Sequence, residues 1–378
     1  MHIIKKILIS IIVFATIFII HDLFKTRMEL KNKEKRLKEG FGEEEIKGTG
    51  LPIAISTVQD KYLDLPLREF IVKSSYNSAI SGEYANQEMI RYLLQRGVRL
   101  LDFEIYTTSN NIEYVSFSRE QDFIMDSANE ESDRLSFAAA MGTVNAYSFI
   151  SPAPSPNDPL FISLRIKNKL KGEELKAMYK RVADIIKVNF PTRLYQDKNG
   201  NAMEVNGSTL LRDIMGKIVI IFDTENKLSN FDKRCSNPEN ECSEIYPFIN
   251  IPANIAGGLP IYHYEDITTK THEPVSTQRD SEGTTINTFI MVVPPVDDVI
   301  QLPSPQEVVR TFYPQFLLYK FYIGNTNLEE YENIFNKAGS AFVPISSLLS
   351  TVEEEEMEED VTPTVVPKKR AGPLNFRL

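Results

Sequence analysis

The chain has 378 residues, 42% hydrophobic and 25% charged, enough for one large core with attachments and within the ordinary globular range. A formal net charge of −10 argues against a nucleic-acid binder, which usually presents a basic face. Two cysteines, Cys235 and Cys242, are too few for a disulfide framework and match no zinc spacing, so surface thiols and a local disulfide both stand.

Ile7 to Ile20 is apolar apart from Ser10 and Thr16. Extended to Phe24 and flanked by Lys5, Lys6 and Lys25, it approaches the roughly 20 residues of a transmembrane helix. A cleaved signal peptide is the rival, but Ile19 and Ile20 lead into His21 and Asp22 with no small-x-small pair. Residues 1–24 are therefore expected to anchor the protein, with 3–24 in contact with the membrane. Lys25, Arg27, Lys31, Lys33, Lys35, Arg36 and Lys38 outnumber Lys5 and Lys6, which places the body on the cytosolic side. The same stretch, alternating with Glu29, Glu34 and Glu39, reads as a charged stalk ending in a linker at Gly40, Gly42, Gly48 and Gly50 (residues 25–50).

From 51 to 349 the composition is that of a folded domain. Glu69–Lys73 reads as a strand, Gln87–Arg96 as a helix, and Val98–Tyr106 and Ile112–Phe117 as strands. Leu160–Ile166 is a strand, Glu173–Val188 a helix and Lys217–Asp223 a buried strand. Strands at Thr288–Val293 and Phe316–Tyr322 enclose a helix at Gln306–Arg310. A helix at Leu328–Lys337 precedes a strand at Ala341–Val343. Strand–helix alternation over this length predicts an α/β protein with a parallel sheet, most economically a (β/α)8 barrel of the TIM type. Glu225–Thr285 is polar and reads as an excursion over one barrel face. Residues 350–378 pass from Glu353–Asp360 to Lys368-Lys369-Arg370 and read as a disordered tail; within it, 361–378 is a candidate docking segment for a protein partner.

No phosphate loop, zinc motif, dinucleotide fingerprint or nucleophile elbow is present, and no cofactor is implied. The four histidines are His2, His21, His263 and His272, so none lies between His21 and His263. His263, between Tyr262 and Tyr264, reads as structural. Asp102 and Glu104 alternate on one strand and share a face. Inward-facing acids need partners, and Arg165 could supply one. An internal ion network, a solvated cleft and a residual metal site all remain open for them.

Four stretches carry a family resemblance: Ile71-Val-Lys-Ser-Ser-Tyr-Asn-Ser-Ala79, Gly97-Val-Arg-Leu-Leu-Asp-Phe-Glu-Ile-Tyr106, Pro159-Leu-Phe-Ile-Ser-Leu-Arg165, and Leu211-Arg-Asp-Ile-Met-Gly216 with the strand after it. In order and spacing they resemble the X region of phosphatidylinositol-specific phospholipase C over about residues 65–223. Ser74-Ser-Tyr-Asn-Ser78 and Gly339-Ser-Ala-Phe-Val343 are most similar to the Tyr-for-His barrels of large DNA viruses. The resemblance implies a phospholipase C-like phosphodiesterase barrel with two catalytic histidines and a calcium ion held by Asn, Glu, Asp and Glu. Here the first histidine position is Tyr76, and the second falls at Ser116-Phe117-Ser118. Asn77, Asp102 and Glu104 match three ligand positions, with the two acids exchanged, and remain residual metal candidates; Arg165 stands at the fourth. The lysines expected at the end of the Lys217–Phe222 strand are replaced by Ile-Phe-Asp. The expectation is a membrane-anchored, catalytically inactive barrel with a binding or structural role, in a virus particle or internal viral membrane. The alternative is an active, calcium-dependent phosphoric diester hydrolase, or a lipid-binding protein, acting on anionic phospholipids.

Overall fold

The computed structural model describes residues 52–348 except 82–83, 109, 119–133, 168–169, 225–243, 256–257, 265–289 and 296–303. The expected membrane span, the stalk, both cysteines and the C-terminal tail lie outside the described residues. Among the described residues no helix is long and apolar enough to cross a membrane.

Twelve strands are described: β1 Phe70–Ser75, β2 Ile80–Ser81, β3 Tyr84–Ala85, β4 Leu100–Thr107, β5 Glu113–Ser116, β6 Leu160–Ile166, β7 Ile218–Asp223, β8 Ile251–Ala253, β9 Ile261–His263, β10 Met291–Val293, β11 Phe316–Tyr319 and β12 Phe342–Pro344. Helices among them are α1 Gln87–Gln95, α2 Phe137–Tyr147, α3 Gly172–Asn189, α4 Pro305–Phe312 and α5 Thr326–Ala338. The strands β1, β4, β6, β7, β8, β9, β10 and β11 follow one another round a parallel sheet, and β11 returns to β1. Among the described residues the single bridge Ala253↔Leu259 joins β8 to the segment leading into β9, so the eight-stranded barrel is nearly closed. Each of β1, β4, β6 and β7 is covered on both faces, which explains why they read as near-continuous apolar runs.

Inside the barrel, Phe161 packs edge-on against Phe316 at 5.0 Å, and Phe342 meets Phe70 at 6.3 Å. These aromatic side chains fill the lower barrel, which is a packed core and not a pore. On the outer side of β1, Lys73 donates to Glu332 Oε1 (3.0 Å) and to the Arg96 carbonyl (2.8 Å). Arg96 grips both Glu332 oxygens at 2.6 Å, so one buried carboxylate ties α5 to β1 and the end of α1. Burial lowers the Lys73 ammonium to about 8 against the pull of Glu332.

The N-terminal end of the barrel is crossed by a strap. Ser56 N–H donates to the Gly339 carbonyl (3.0 Å), Val58 N–H to Asp158 Oδ1 (3.0 Å), and Arg212 N–H to the Leu63 carbonyl (3.0 Å). Gly97 adopts φ +76°, and a Cβ there would lie 2.9 Å from the Ile55 side chain, so the strap packs against a position only glycine fills.

The sequence reading needs correction in two places. Glu225–Thr285 is not simply an excursion: it contributes the barrel strands β8 and β9. Each is three residues long, too short to show a period-2 signal against its polar surroundings. Helix α2 was not expected at all. Its sequence, FAAAMGTVNAY, is small and apolar nearly all round, which hides a 3.6-residue stripe. Ser136 caps it, accepting from Ala139 N–H at 3.2 Å.

Candidate functional site

In a parallel barrel the strand C-termini converge at one end, where function is normally placed. Three neighbouring strands bring the sequence-predicted residues together there. Tyr76 and Asn77 follow β1, Asp102 and Glu104 lie on β4, and Arg165 is on β6 in register with Glu104. All five are buried, with Asp102 fully so and Arg165, at 8%, the most exposed.

Arg165 is the centre of the group. Its Nε donates to Asp102 Oδ1 (3.0 Å), and Nη2 donates to Asp102 Oδ2 (2.6 Å) and Asn77 Oδ1 (2.8 Å). Nη1 donates to Glu104 Oε1 and to the Tyr76 hydroxyl (3.3 Å). A guanidinium has five N–H donors, and every one is engaged. The Tyr76 ring covers the guanidinium face at 4.6 Å, a cation–π contact that shields the charge from water. Burial works against the Arg165 charge, but Asp102 and Glu104 raise its pKa well above the usual arginine value. Burial also pushes the Tyr76 phenol well up, and the opposing pull of Arg165 does not cancel it. A neutral phenol held this way is a poor proton shuttle at neutral pH.

Further groups hold the acids in place. Asn77, at φ 46°, turns its N–H onto Asp102 Oδ2 (3.1 Å). Ser78 Oγ accepts from Asp102 N–H at 2.7 Å. Tyr106 O–H donates to Glu104 Oε2 (2.8 Å), and Ser118 N–H reaches the same oxygen at 3.2 Å. Tyr106 was missed in the sequence although it continues the Asp102–Glu104 alternation. Ser118 acts through its backbone, which residue type cannot signal. The segment at the second histidine position therefore runs antiparallel beside β4 and closes over Glu104.

Of the three readings open for the acids, the structure has the ion network. A calcium ion would need the oxygens that Arg165 already holds, and a guanidinium among them repels a metal, so the residues present do not fit one. Among the described residues no group of three or more His, Cys, Asp or Glu side chains could hold a metal. His263 is exposed at the end of β9, four strands round from β4. The β7 strand ends at Asp223, which accepts from Asn254 Nδ2 at 2.9 Å.

No protein-family model matches the sequence, and no curated protein matches it either. Solved structures do match the fold. PLC21 from S. officinalis superposes with a TM-score of 0.54 at 13% identity, covering 75% of this chain and 37% of its own. PLC21 from L. pealei gives 0.55 at 12%, with the same coverage. The likeness is one of fold: this chain shares the barrel architecture of those two proteins. The present chain spans little more than a third of those two proteins' length, 37% of each. A calcium-dependent phosphoinositol-specific phospholipase C from a Gram-negative Pseudomonas sp is also similar, with a TM-score of 0.43, 10% identity, and coverage of 78% and 99%. Within this barrel, the five residues above occupy the mouth end.

Proposed function

We propose that the protein is a membrane-tethered barrel of the phospholipase C type that hydrolyses no phosphodiester and serves as a binding or structural component. The observation that carries this reading is the closed ion network: Arg165 uses all its donors on Tyr76, Asn77, Asp102 and Glu104, so none of these five residues is left as a proton shuttle or an open metal cradle. The apolar run Ile7–Ile20 supports the tether. The strap at residues 56–63 brings the chain onto the N-terminal end of the barrel, so in this reading the mouth faces away from the bilayer. The Tyr-for-His resemblance supports a membrane of a large DNA virus as the location, and 361–378 is proposed as the partner-docking segment.

Calorimetric titration of calcium chloride into the detergent-solubilised full chain should give no binding heat. Binding heat that disappears in Asn77→Ala would overturn the reading. Deleting Met1–Phe24 should release the protein from membranes on carbonate extraction. Deleting Thr351–Leu378 should leave it bound but strip a co-purifying protein.

A further inference from the structure

We infer that the N-terminal end of the barrel, opposite the mouth, is a docking face for an anionic lipid surface, met through Ile53, Ile150 and Val188 with Lys187, Arg193 and Lys337 around them. This rests on the proposed tether and adds to it the residues by which the folded body itself meets the bilayer.

Among the described residues five large apolar side chains are exposed: Ile53, Ile112, Ile150, Val188 and Met203. Of these only Ile112, on the β4–β5 turn, stands at the mouth. The other four lie at the opposite end. Ile53 is in the strap, Ile150 in the connection from α2 into β6, Val188 in the last turn of α3, and Met203 in the connection from α3 into β7. Contacts join three of them into one surface. Ala54 N–H, next to Ile53, donates to Asn336 Oδ1 near the end of α5 (3.2 Å). Gly97 then brings the strap and the α2–β6 connection together, since a Cβ there would lie 2.9 Å from Ile55 and 3.2 Å from Pro154. From the far side Arg193 lies over the Phe149 ring at 4.7 Å, which draws the end of α3 beside Ile150.

Single exposed apolar residues are ordinary, but Val188 is 78% exposed and Ile150 58%, and they share a face with little charge. No charged side chain occurs from Pro52 to Gln59 or from Asn145 to Asn157. The charges beside the three residues are cationic and exposed: Lys187 adjoins Val188, Arg193 covers Phe149, and Lys337 follows Asn336. Asp184, one turn back from Val188, lies 3.8 Å from Lys180. Apolar side chains ringed by lysine and arginine suit an interface with acidic headgroups. The route of the chain selects that occupant. The described residues begin at Pro52 on this same face, and the segment before it carries Lys25, Arg27, Lys31, Lys33, Lys35, Arg36 and Lys38 after the apolar run Ile7–Ile20.

The test uses the full chain in nanodiscs of phosphatidylcholine with about 30% phosphatidylserine. Cys235→Ser and Cys242→Ser are combined with one reporter at a time, Ile150→Cys, Val188→Cys or, at the mouth, Ile112→Cys, each labelled with a fluorophore. Quenching by doxyl-labelled lipid should be at least about twofold stronger at Ile150→Cys and Val188→Cys than at Ile112→Cys, because an interfacial apolar face sits roughly 5–10 Å into the headgroup boundary. Adding Lys187→Glu with Arg193→Glu, or omitting phosphatidylserine, should bring both down to the Ile112→Cys level. Equal quenching at the three positions, stronger quenching at Ile112→Cys, or quenching indifferent to lipid charge would overturn the inference. So would protection of Val188→Cys from iodide in native membranes without doxyl quenching in nanodiscs, which would show a protein covering the face. Co-migration of the chain with the nanodiscs reads the tether separately. Co-migration without preferential quenching sinks the docking face alone, whereas a chain that does not co-migrate sinks both.

Discussion

Asp158, just before β6, offers a quantitative check on how the strap is fastened. Its side chain is fully buried; Oδ1 accepts from Val58 N–H at 3.0 Å, and the Ser155 side chain also hydrogen-bonds the carboxyl. Burial pushes the carboxyl from its ordinary 3.8 up to about 6, with the Val58 N–H and the nearby Arg99 pulling the other way. Because the folded pKa lies above the unfolded one, the folded state binds the proton more tightly. The contribution is fully present below about pH 4 and is lost as the pH rises through about 6. At about 1.4 kcal/mol per pH unit, the displacement corresponds to about 3 kcal/mol. Asp158→Asn keeps an oxygen for Val58 but cannot ionise. Urea unfolding followed from pH 4 to pH 7.5 should show wild type losing about 2.4 kcal/mol relative to the variant, since at pH 4 part of the effect is already gone. Parallel pH profiles for the two proteins would refute the reasoning, since a carboxylate ionising at its ordinary pKa gives no such divergence.

Glu332→Ala leaves Lys73 and Arg96 buried without their carboxylate, and should cost ~3–5 kcal/mol in urea unfolding; a loss below about 1 kcal/mol would show that water reaches the cluster. Gly97→Ala forces a Cβ onto a backbone at φ +76° and to within 2.9 Å of Ile55, so it should cost at least about 1 kcal/mol, read as a lower melting temperature. Tyr76→His returns an imidazole to the mouth but leaves Arg165 in place, and should produce no turnover of phosphatidylinositol.

The first half of the barrel was legible because β1, β4, β6 and β7 are long apolar runs bounded by turns, and Leu160–Ile166 matches its expected limits residue for residue. The far side was less so. Strands β8 and β9 draw their identity from pairing with neighbours distant in sequence, not from an internal pattern. At the site, the alternation of Asp102 with Glu104 was legible in the sequence, and the resemblance supplied Tyr76, Asn77 and the partner cation Arg165. The donors that orient the acids were harder to see: Asn77 and Ser118 act through backbone N–H groups whose direction depends on a left-handed turn and on the β4–β5 pairing. Only Tyr106 could have been found earlier, from the same two-residue period that paired the acids.

The function proposed above is that the barrel-mouth residues are bound to one another and perform no hydrolysis. The most direct test is turnover of radiolabelled phosphatidylinositol in mixed micelles by the purified full chain, in calcium and in chelator. The account predicts release of inositol phosphate no faster than in protein-free micelles under either condition. Calcium-dependent release that is abolished by Asn77→Ala would contradict it.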